Sequence, residues 1–447
     1  MKIILTSGKT FVLTPHRGLF VLFFWAILQI NPILCLAQPD AQKKDARFFE
    51  SAAVKAYQEK NYSSFLENMR AAASLRPNHP RLMYNLAAGY ALTGQSGEAL
   101  VWLNKLAKMG LVYPANKDSD FDSIKESSEF KTILQKFEHN KAPVSNSTIG
   151  FTVHEKDLIP ESVAYDPATK TFYLSSIYKR KIVSINEKGE VKDFATENSG
   201  LWSVMGMKVD TRHGHLWVCT TAHPQMSNYK NEENGSSALF KYDLPTGKVL
   251  KKYFLTNQPK LHWLGDLIIN SRGDVFATDS LAPEIYVVRH QKDELELFLT
   301  SEMFSSLQGL DFTQDEKHLF VADYAKGIFI IDQQTKKITN LSPPADSTLL
   351  GIDGLYFYQG SLLAVQNGVN PHRVIRFYLN RDQNNIERSE TLEANNPVFD
   401  EPTLGVLFQN SFYFVANSQW GAIDQKGNLA PAEKLKDPQI LKINLRH

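Results

Sequence analysis

The feature that most constrains this chain is a block of alternating apolar and polar residues that recurs six times after residue 143. Turn residues separate its segments at short intervals, which is typical of antiparallel β-strands. The blocks that begin at Ser162 and Gly309 align position for position. The other four blocks span residues 206–218, 266–277, 354–365 and 404–415. The repeat predicts six similar sheets.

Closure of these six units depends on the two ends of the repeat region. Third and fourth strands follow the first two in five units, but the chain reaches His447 directly after the third strand of the sixth. A spare apolar segment, Gly150 to His154, precedes the first unit. Pairing that segment with the last unit closes a ring and leaves no unpaired edge between first and last sheet. We therefore predict a six-bladed β-propeller over residues 149–447.

Residues 45–141 carry a different, helical periodicity. Two amphipathic segments flank a break at Thr93-Gly94, and a similar block lies upstream, where Phe65 corresponds to Ala99. The spacing of these two positions matches the period of the tetratricopeptide repeat, which this segment resembles. The predicted fold class is therefore α plus all-β, a short tetratricopeptide-like helical domain followed by the propeller. Such repeats present a groove to a peptide or protein, or else brace the larger domain.

The first 37 residues have the layout of a targeting segment. Basic residues precede an apolar run from Gly18 to Ile30, and small residues follow around Ala37. This layout predicts a signal peptide over residues 1–37 and export to the periplasm or the medium. An uncleaved anchor is the alternative, and it is the one contact with a membrane that the sequence suggests.

Charge and cysteine content exclude several classes of partner and site. The 49 Lys and Arg residues against 48 Asp and Glu residues give a net charge of +1, so we expect no nucleic-acid partner. Cys35 lies in the targeting segment, which leaves Cys219 alone in a mature chain. An intramolecular disulfide is then impossible, and we expect Cys219 to be a buried apolar residue.

The first strand of each propeller blade lines the central channel, so its opening residue is expected to point towards the axis. Two carboxylates and one amide at these positions suit a hard cation such as Ca²⁺, which binds six to eight oxygen ligands. The six aligned positions are Glu161, Met205, Gly265, Gln308, Asp353 and Thr403.

Four short motifs connect the repeat to a known family. They are Pro160-Glu161-Ser162, the Arg272-Gly273-Asp274 turn, Gln308-Gly309-Leu310 and Asp353-Gly354-Leu355. On these motifs, residues 151–446 resemble the gluconolactonase/regucalcin (senescence-marker-protein) family of propellers. The resemblance implies a divalent cation in the channel, held by a Glu, two Asn and an Asp from four blades, and hydrolysis of lactones or esters.

Carried over residue by residue, the family pattern is only partly present. Its Glu matches Glu161 and its Asp matches Asp353, whereas one Asn position is the longer amide Gln308. The other Asn position is Gly265, although the adjacent Asp266 would supply a carboxylate if it turned inward. The resemblance thus implies Glu161, Gln308, Asp353 and Asp266 as metal ligands, with Ca²⁺ as the first choice and Zn²⁺ or Mn²⁺ as alternatives.

Two functional hypotheses follow from these residues. The first is an exported, metal-dependent hydrolase of a small lactone or ester, in which Asp353 is ligand and general base and Glu161 a companion ligand. The second is a non-catalytic scaffold that binds a ligand, a peptide or a protein, in which Glu161 and Asp353 brace the strand starts. Nucleophile-elbow, phosphate-loop and dinucleotide motifs do not occur in the sequence.

Two further segments contain side chains suited to a binding site. His262-Trp263 precedes the inner strand of the third unit, so we expect it near the channel mouth as part of a substrate wall. His372 and Arg373 lie in a predicted loop between strands, where either would contact an anionic ligand.

Overall fold

The computed structural model describes residues 45–445, so the predicted signal peptide lies outside the described residues. The described part forms two compact units. The first comprises residues 45–103 and Pro114–Lys131, and the second comprises Asn104–Tyr113 and residues 132–445. The predicted domain limits, 45–141 and 149–447, were drawn from periodicity and stay predictions.

Within the described residues, five α-helices precede the sheets. They are α1 (Ala46–Gln58), α2 (Tyr62–Leu75), α3 (Pro80–Leu92), α4 (Ser96–Lys108) and α5 (Ser128–His139). The number of residues from the start of α1 to the start of α3 equals the number from the start of α2 to the start of α4 (80 − 46 = 96 − 62). This spacing is the period that the sequence predicts, since it also equals the offset of Ala99 from Phe65 (99 − 65). No helix within residues 45–445 combines the length and the apolar character needed to span a membrane.

Local sequence signals set the limits of these helices. The Asp45 carboxylate accepts the Phe48 N–H at 2.9 Å and begins α1, and Asn61 caps α2 in the same way through the Ser64 N–H at 3.1 Å. Gly94 follows the end of α3 with φ +77°, a left-handed conformation that glycine adopts without a Cβ clash. The Thr93-Gly94 break seen in the sequence therefore ends a helix.

Within the first unit, Phe65 takes the position where the second repeat has the small residue Ala99. Its ring is buried and packs edge-on against Tyr57, with ring centroids 5.2 Å apart. The Tyr57 hydroxyl donates to Asp120 Oδ1 at 2.6 Å, and the Tyr84 hydroxyl donates to Asp118 Oδ2 at 2.9 Å. Two tyrosine hydrogen bonds thus connect the helices to the segment that precedes α5.

The second unit contains six antiparallel sheets, which confirms the predicted six-bladed propeller. Each blade runs from an inner strand outward. Two short strands precede blade 1 in the chain. They are β1 (Val144–Ser145), which belongs to blade 5, and β2 (Ser147–Thr152), which belongs to blade 6.

The remaining strands follow in chain order. Blade 1 has β3 (Val163–Asp166), β4 (Thr171–Ser175), β5 (Ile182–Ile185) and β6 (Val191–Ala195); blade 2 has β7 (Ser203–Asp210), β8 (His215–Thr221), β9 (Ser237–Asp243) and β10 (Val249–Leu255). Blade 3 has β11 (Leu264–Ile269), β12 (Val275–Asp279), β13 (Glu284–Val288) and β14 (Leu295–Thr300); blade 4 has β15 (Leu307–Phe312), β16 (His318–Asp323), β17 (Gly327–Asp332) and β18 (Ile338–Asn340). Blade 5 has β19 (Ile352–Tyr358), β20 (Ser361–Gln366), β21 (Arg373–Leu379) and β22 (Ile386–Ala394); blade 6 has β23 (Gly405–Phe408), β24 (Ser411–Val415) and β25 (Gln439–Asn444).

The ring closes as predicted, because the segment before blade 1 completes blade 6. β2 pairs antiparallel with β25, with Ser147 opposite Ile443 and Thr152 opposite Gln439. The sequence did not reveal β1, which adds a fifth strand to blade 5 by pairing with β22. The chain therefore binds two neighbouring blades before it begins the first one.

The propeller core lies between stacked blades. Phe276 of blade 3 packs edge-on against Phe312 of blade 4 at 5.3 Å, and Tyr356 of blade 5 packs against Phe412 of blade 6 at 4.8 Å. Cys219 is fully buried in an apolar cluster, as predicted. Large apolar residues on both faces of a strand thus hold each blade against its neighbours.

Close approach of the inner strands explains the glycines that open them. A Cβ at Gly309 would lie against the backbone N of Leu355 and 2.7 Å from the backbone O of Asp353, both in the neighbouring blade. Real Cβ atoms do not approach backbone this closely. The inner strands of blades 4 and 5 can therefore lie side by side only while residue 309 has no side chain.

We predict that Gly309→Ala lowers the free energy of unfolding by about 1–3 kcal/mol, the usual cost of forcing extra atoms into a packed core. The matched control is Gly421→Ala, because a Cβ at Gly421 would have no neighbour within 4 Å. Urea unfolding of both variants tests this. Equal midpoints for the two variants would contradict the packing argument.

Candidate functional site

The six residues predicted to line the channel lie at or just before the start of the inner strands. Glu161, Met205, Asp353 and Thr403 are buried, and Gln308 is half-buried. In blades 2 to 5 the register between first and second strand shifts at this level. Such a bulge inserts an extra residue and re-aims the neighbouring side chains, so the simple alternation of a strand does not hold here.

Glu161 is oriented by an aromatic side chain from a distant part of the chain. The Trp420 indole Nε1–H donates to Glu161 Oε2 at 2.7 Å. The backbone carbonyl of Glu161 accepts the Thr403 hydroxyl at 2.7 Å and the Leu404 N–H at 3.0 Å, which fixes blade 1 against blade 6. The carboxylate is thus held at the level where the ring closes.

Asp353 is oriented by an amide in the same way. Asn367 Nδ2 donates to Asp353 Oδ2 at 2.7 Å and to the Pro402 carbonyl at 3.1 Å. The Tyr324 hydroxyl donates to Asn367 Oδ1 at 3.0 Å. Burial, and then the nearby Asp353 carboxylate, raise the pKa of Tyr324, so this hydroxyl keeps its proton as a donor.

Of the two amide positions in the implied ligand set, Gln308 provides a side-chain oxygen and Gly265 provides no side chain. Gln308 donates from Nε2 to the Ser306 hydroxyl at 3.2 Å. A Cβ at Gly265 would lie 3.7 Å from Gln308 Oε1, so the missing side chain leaves its space next to this amide oxygen. The side-chain oxygen of Gln308 therefore lies next to Gly265, the channel position of blade 3 that has no side chain.

Asp266 belongs to a deeper, charged layer of the inner strands. Its Oδ1 accepts the Leu267 N–H at 2.8 Å and lies beside Gly206 of blade 2, while its Oδ2 is buried without a hydrogen-bond partner among residues 45–445. Burial raises the pKa of Asp266, and Lys208 opposes this shift. Whether Asp266 binds a metal stays a prediction, as it does for Glu161, Gln308 and Asp353.

Asp311 and Lys208 complete this deeper layer, which the sequence did not reveal. Asp311 accepts the N–H groups of Phe312 and Phe357, both at 2.8 Å, and burial raises its pKa to about 6. The Lys208 ammonium lies 5.0 Å from the centre of the Tyr356 ring, and its charge favours ionisation of Asp311. In each aligned block Lys208, Asp311 and Tyr356 lie three residues after the channel position.

Stacked aromatic side chains lie beside Glu161. The His223 ring is 4.6 Å from the Trp263 ring and 5.6 Å from the Trp420 ring, and His223 is almost fully buried. Trp263 was expected at the channel mouth, and it packs here next to the tryptophan that holds Glu161. Trp420 was missed because the long segment between β24 and β25 has no repeat pattern that would place it at the channel.

His262 points into a different cluster. Its Nδ1 lies 2.6 Å from Asp279 Oδ2, and its ring packs edge-on to Tyr286 at 6.1 Å. Within residues 45–445, His262, Asp279 and Glu284 are the one group of three or more His, Cys, Asp or Glu whose ligand atoms all lie within 4.8 Å of one another. The group does not include Glu161, Asp266 or Asp353.

The prediction that Arg373 lies in a loop between strands is wrong, and its contact with an anionic ligand stays a prediction. Arg373 begins β21 and is 2% exposed, and its Nε donates to Gln366 Oε1 at 2.7 Å. Its Nη1 donates to the backbone carbonyl of Met109 at 2.7 Å. The guanidinium is thus a buried structural group, because the strand begins at this residue and turns its side chain into the protein.

Comparison with known proteins leaves the family open. No protein-family model matches the chain. YncE of Escherichia coli (strain K12), an uncharacterized protein, is 27% identical over 139 residues, which is 31% of this chain and 35% of YncE. The match thus spans about a third of that protein's length.

Solved structures of other proteins share the propeller with low similarity. A gluconolactonase from Xanthomonas campestris is 15% identical with a TM-score of 0.45, over 67% of this chain and 91% of that chain. The PQQ-bound aldose sugar dehydrogenase from Streptomyces coelicolor is 11% identical with a TM-score of 0.46, over 68% and 99%. Virginiamycin B lyase from Staphylococcus aureus is 14% identical with a TM-score of 0.45, over 66% and 98%. These scores are too low to transfer any of the three activities.

The raised pKa of Asp311 predicts how stability depends on pH. The folded chain keeps this proton up to about pH 6, whereas the unfolded chain loses it near 3.8, so the folded state binds more protons in between. The free energy of unfolding therefore falls as the pH rises through this window. Asp311→Asn should remove its part of the fall, on the order of 3 kcal/mol at about 1.4 kcal/mol per pKa unit.

Urea unfolding at several pH values between about 4 and about 6 measures this slope. Asp266, whose pKa is also raised, leaves a residual slope of the same sign in the variant. Asp315→Asn is the control, because hydrogen bonds lower the pKa of this exposed group to about 2, below the window. An unchanged slope in Asp311→Asn would refute the assignment.

Proposed function

We propose that this chain is exported and hydrolyses a small lactone or ester at the mouth of the propeller channel, with a divalent cation. The observation that supports the proposal is a pair of buried carboxylates, Glu161 of blade 1 and Asp353 of blade 5, at equivalent inner-strand positions. Each is oriented by one N–H donor, Trp420 or Asn367.

The donors at this level suit a hard cation. Glu161, Gln308 and Asp353 would hold it through carboxylate and amide oxygens, the ligands that Ca²⁺ prefers, with water in place of the side chain that Gly265 lacks. Asp266 would contribute charge from the layer below, since its Oδ1 is bound to its own strand. When bound, the cation would polarise the substrate carbonyl and stabilise the charge that develops on its oxygen.

The chain's own side chains then have distinct tasks. Asp353 accepts the proton of the attacking water, and Asn367 keeps its carboxylate in one orientation. Tyr324 fixes the amide of Asn367 and so sets which of its ends faces Asp353. The stacked rings of His223, Trp263 and Trp420 exclude water from one side of Glu161.

The alternative function is a scaffold without catalysis. It is favoured by the two helix pairs that repeat at the tetratricopeptide spacing, since stacked pairs of this kind present surfaces to peptides or proteins. It is also favoured by Met205 and Gly265, which give the channel no polar side chain from blades 2 and 3. In this reading Glu161 and Asp353 hold the blades together and bind no cation.

We predict that Asp353→Asn lowers kcat/KM for a lactone or ester substrate at least about hundredfold, the lower range for loss of a general base. The matched control is Asp346→Asn, an exposed carboxylate that should leave turnover unchanged. A panel of lactones and aryl esters, assayed with Ca²⁺, Mn²⁺ or Zn²⁺, provides the measurement. Full turnover by Asp353→Asn would rule out its role as base, and no turnover of any substrate would favour the scaffold.

We also predict that Ca²⁺, the cation expected in the channel, raises the melting temperature of the chain from residue 38 onward. Ligand at about 100 times its Kd adds about 2.7 kcal/mol, which is a shift of a few degrees for a protein of this size. The shift should disappear with chelator and in Asp353→Asn, but not in Asp346→Asn. A shift of equal size in Asp353→Asn would place the cation elsewhere.

A further inference from the structure

Blade 3 contains a buried cluster of possible metal ligands outside the channel. His262 lies just before β11, Asp279 ends β12 and Glu284 begins β13, and the three are 5%, 0% and 7% exposed. Their ligand atoms all lie within 4.8 Å of one another. One imidazole and two carboxylates, from three parts of one blade, thus converge in a site that solvent hardly reaches.

Blade 4 has an aspartate at the position equivalent to Asp279, and its contacts show how the fold anchors this carboxylate without a histidine. Asp323 ends β16 as Asp279 ends β12, and its Oδ2 accepts the backbone N–H groups of Ser305 and Ser306. In blade 3, Asp279 Oδ1 accepts the Trp263 N–H at 3.0 Å, but Oδ2 faces the His262 ring. Backbone donors are therefore sufficient to anchor this carboxylate, and the imidazole of blade 3 is an addition to the repeat.

The positive charge next to this cluster comes from Lys260, whose side chain can move into solvent. Lys260 forms an ion pair with Glu284, and its side chain is 47% exposed. The Tyr286 hydroxyl donates to the other oxygen of Glu284. The His262 ring is 5% exposed, and its Nδ1 lies 2.6 Å from Asp279 Oδ2. A buried imidazole within reach of two buried carboxylates, at a place where blade 4 needs none, is the feature that points to a ligand.

We propose that His262, Asp279 and Glu284 form a site for a divalent transition metal, with Zn²⁺ as the first candidate. One imidazole nitrogen and carboxylate oxygens are ordinary Zn²⁺ ligands at about 2.0–2.2 Å, and water completes the shell. The metal takes the position between His262 Nδ1 and Asp279 Oδ2, and the one ring proton moves to Nε2. Lys260 releases Glu284 and swings into solvent with its charge. The site is independent of the hydrolysis proposed above.

Two neighbouring substitutions should change Zn²⁺ affinity in opposite directions. Glu284→Gln removes a charged ligand and should raise the Kd at least about tenfold, the lower range seen when groups around a metal are lost. Lys260→Gln removes the competing ammonium and should lower the Kd.

Isothermal titration of ZnCl₂ into the Asp353→Asn chain measures these constants with the channel carboxylate removed. His290→Ala is the matched control, because the His290 and His213 rings stack at 4.3 Å near the surface and offer Zn²⁺ a competing place. Weaker binding in Glu284→Gln together with tighter binding in Lys260→Gln supports the site. An unchanged Kd in both variants, loss of binding in His290→Ala, or no binding at all overturns it. Lys260→Gln alters a half-exposed side chain, so the test does not depend on Glu284→Gln folding.

Discussion

Closure of the ring between β2 and β25 is the interaction on which the rest of the propeller depends. Without it, blade 6 would have three strands and an open outer edge. On the inner side of the same seam, the Glu161 carbonyl accepts hydrogen bonds from Thr403 and Leu404, which precede the inner strand of blade 6. The channel mouth is therefore built by pairing the two ends of the repeat region.

Most of the architecture could be predicted because it repeats. Apolar and polar residues alternate in each unit with a period of two, and a spare strand at one end matches a missing strand at the other. The helix pairs were equally visible, because the second pair repeats the first at a constant spacing. β1 was not visible, since a strand of two residues has no periodicity.

The site was only partly predictable, for two physical reasons. The residues that orient the carboxylates come from irregular loops, and Trp420 is 259 residues from Glu161 in the chain. In addition, bulges at the inner-strand starts break the alternation that assigns side chains to faces. The position of Asp266 beside Gly206 follows from such a bulge and not from a regular strand.

The way the ring closes also sets the order in which the molecule can be assembled. Ser147 precedes the whole first blade and its partner Ile443 lies almost at the end of the chain, so β2 is made long before β25 exists. Contacts between such distant segments form late, because a long loop must first be closed. Blades 1, 2, 3 and 4 draw all their strands from consecutive chain and can pair during synthesis. Blade 6 becomes complete only when β25 is made, and until then β2 exposes unpaired backbone N–H and C=O groups to any other strand.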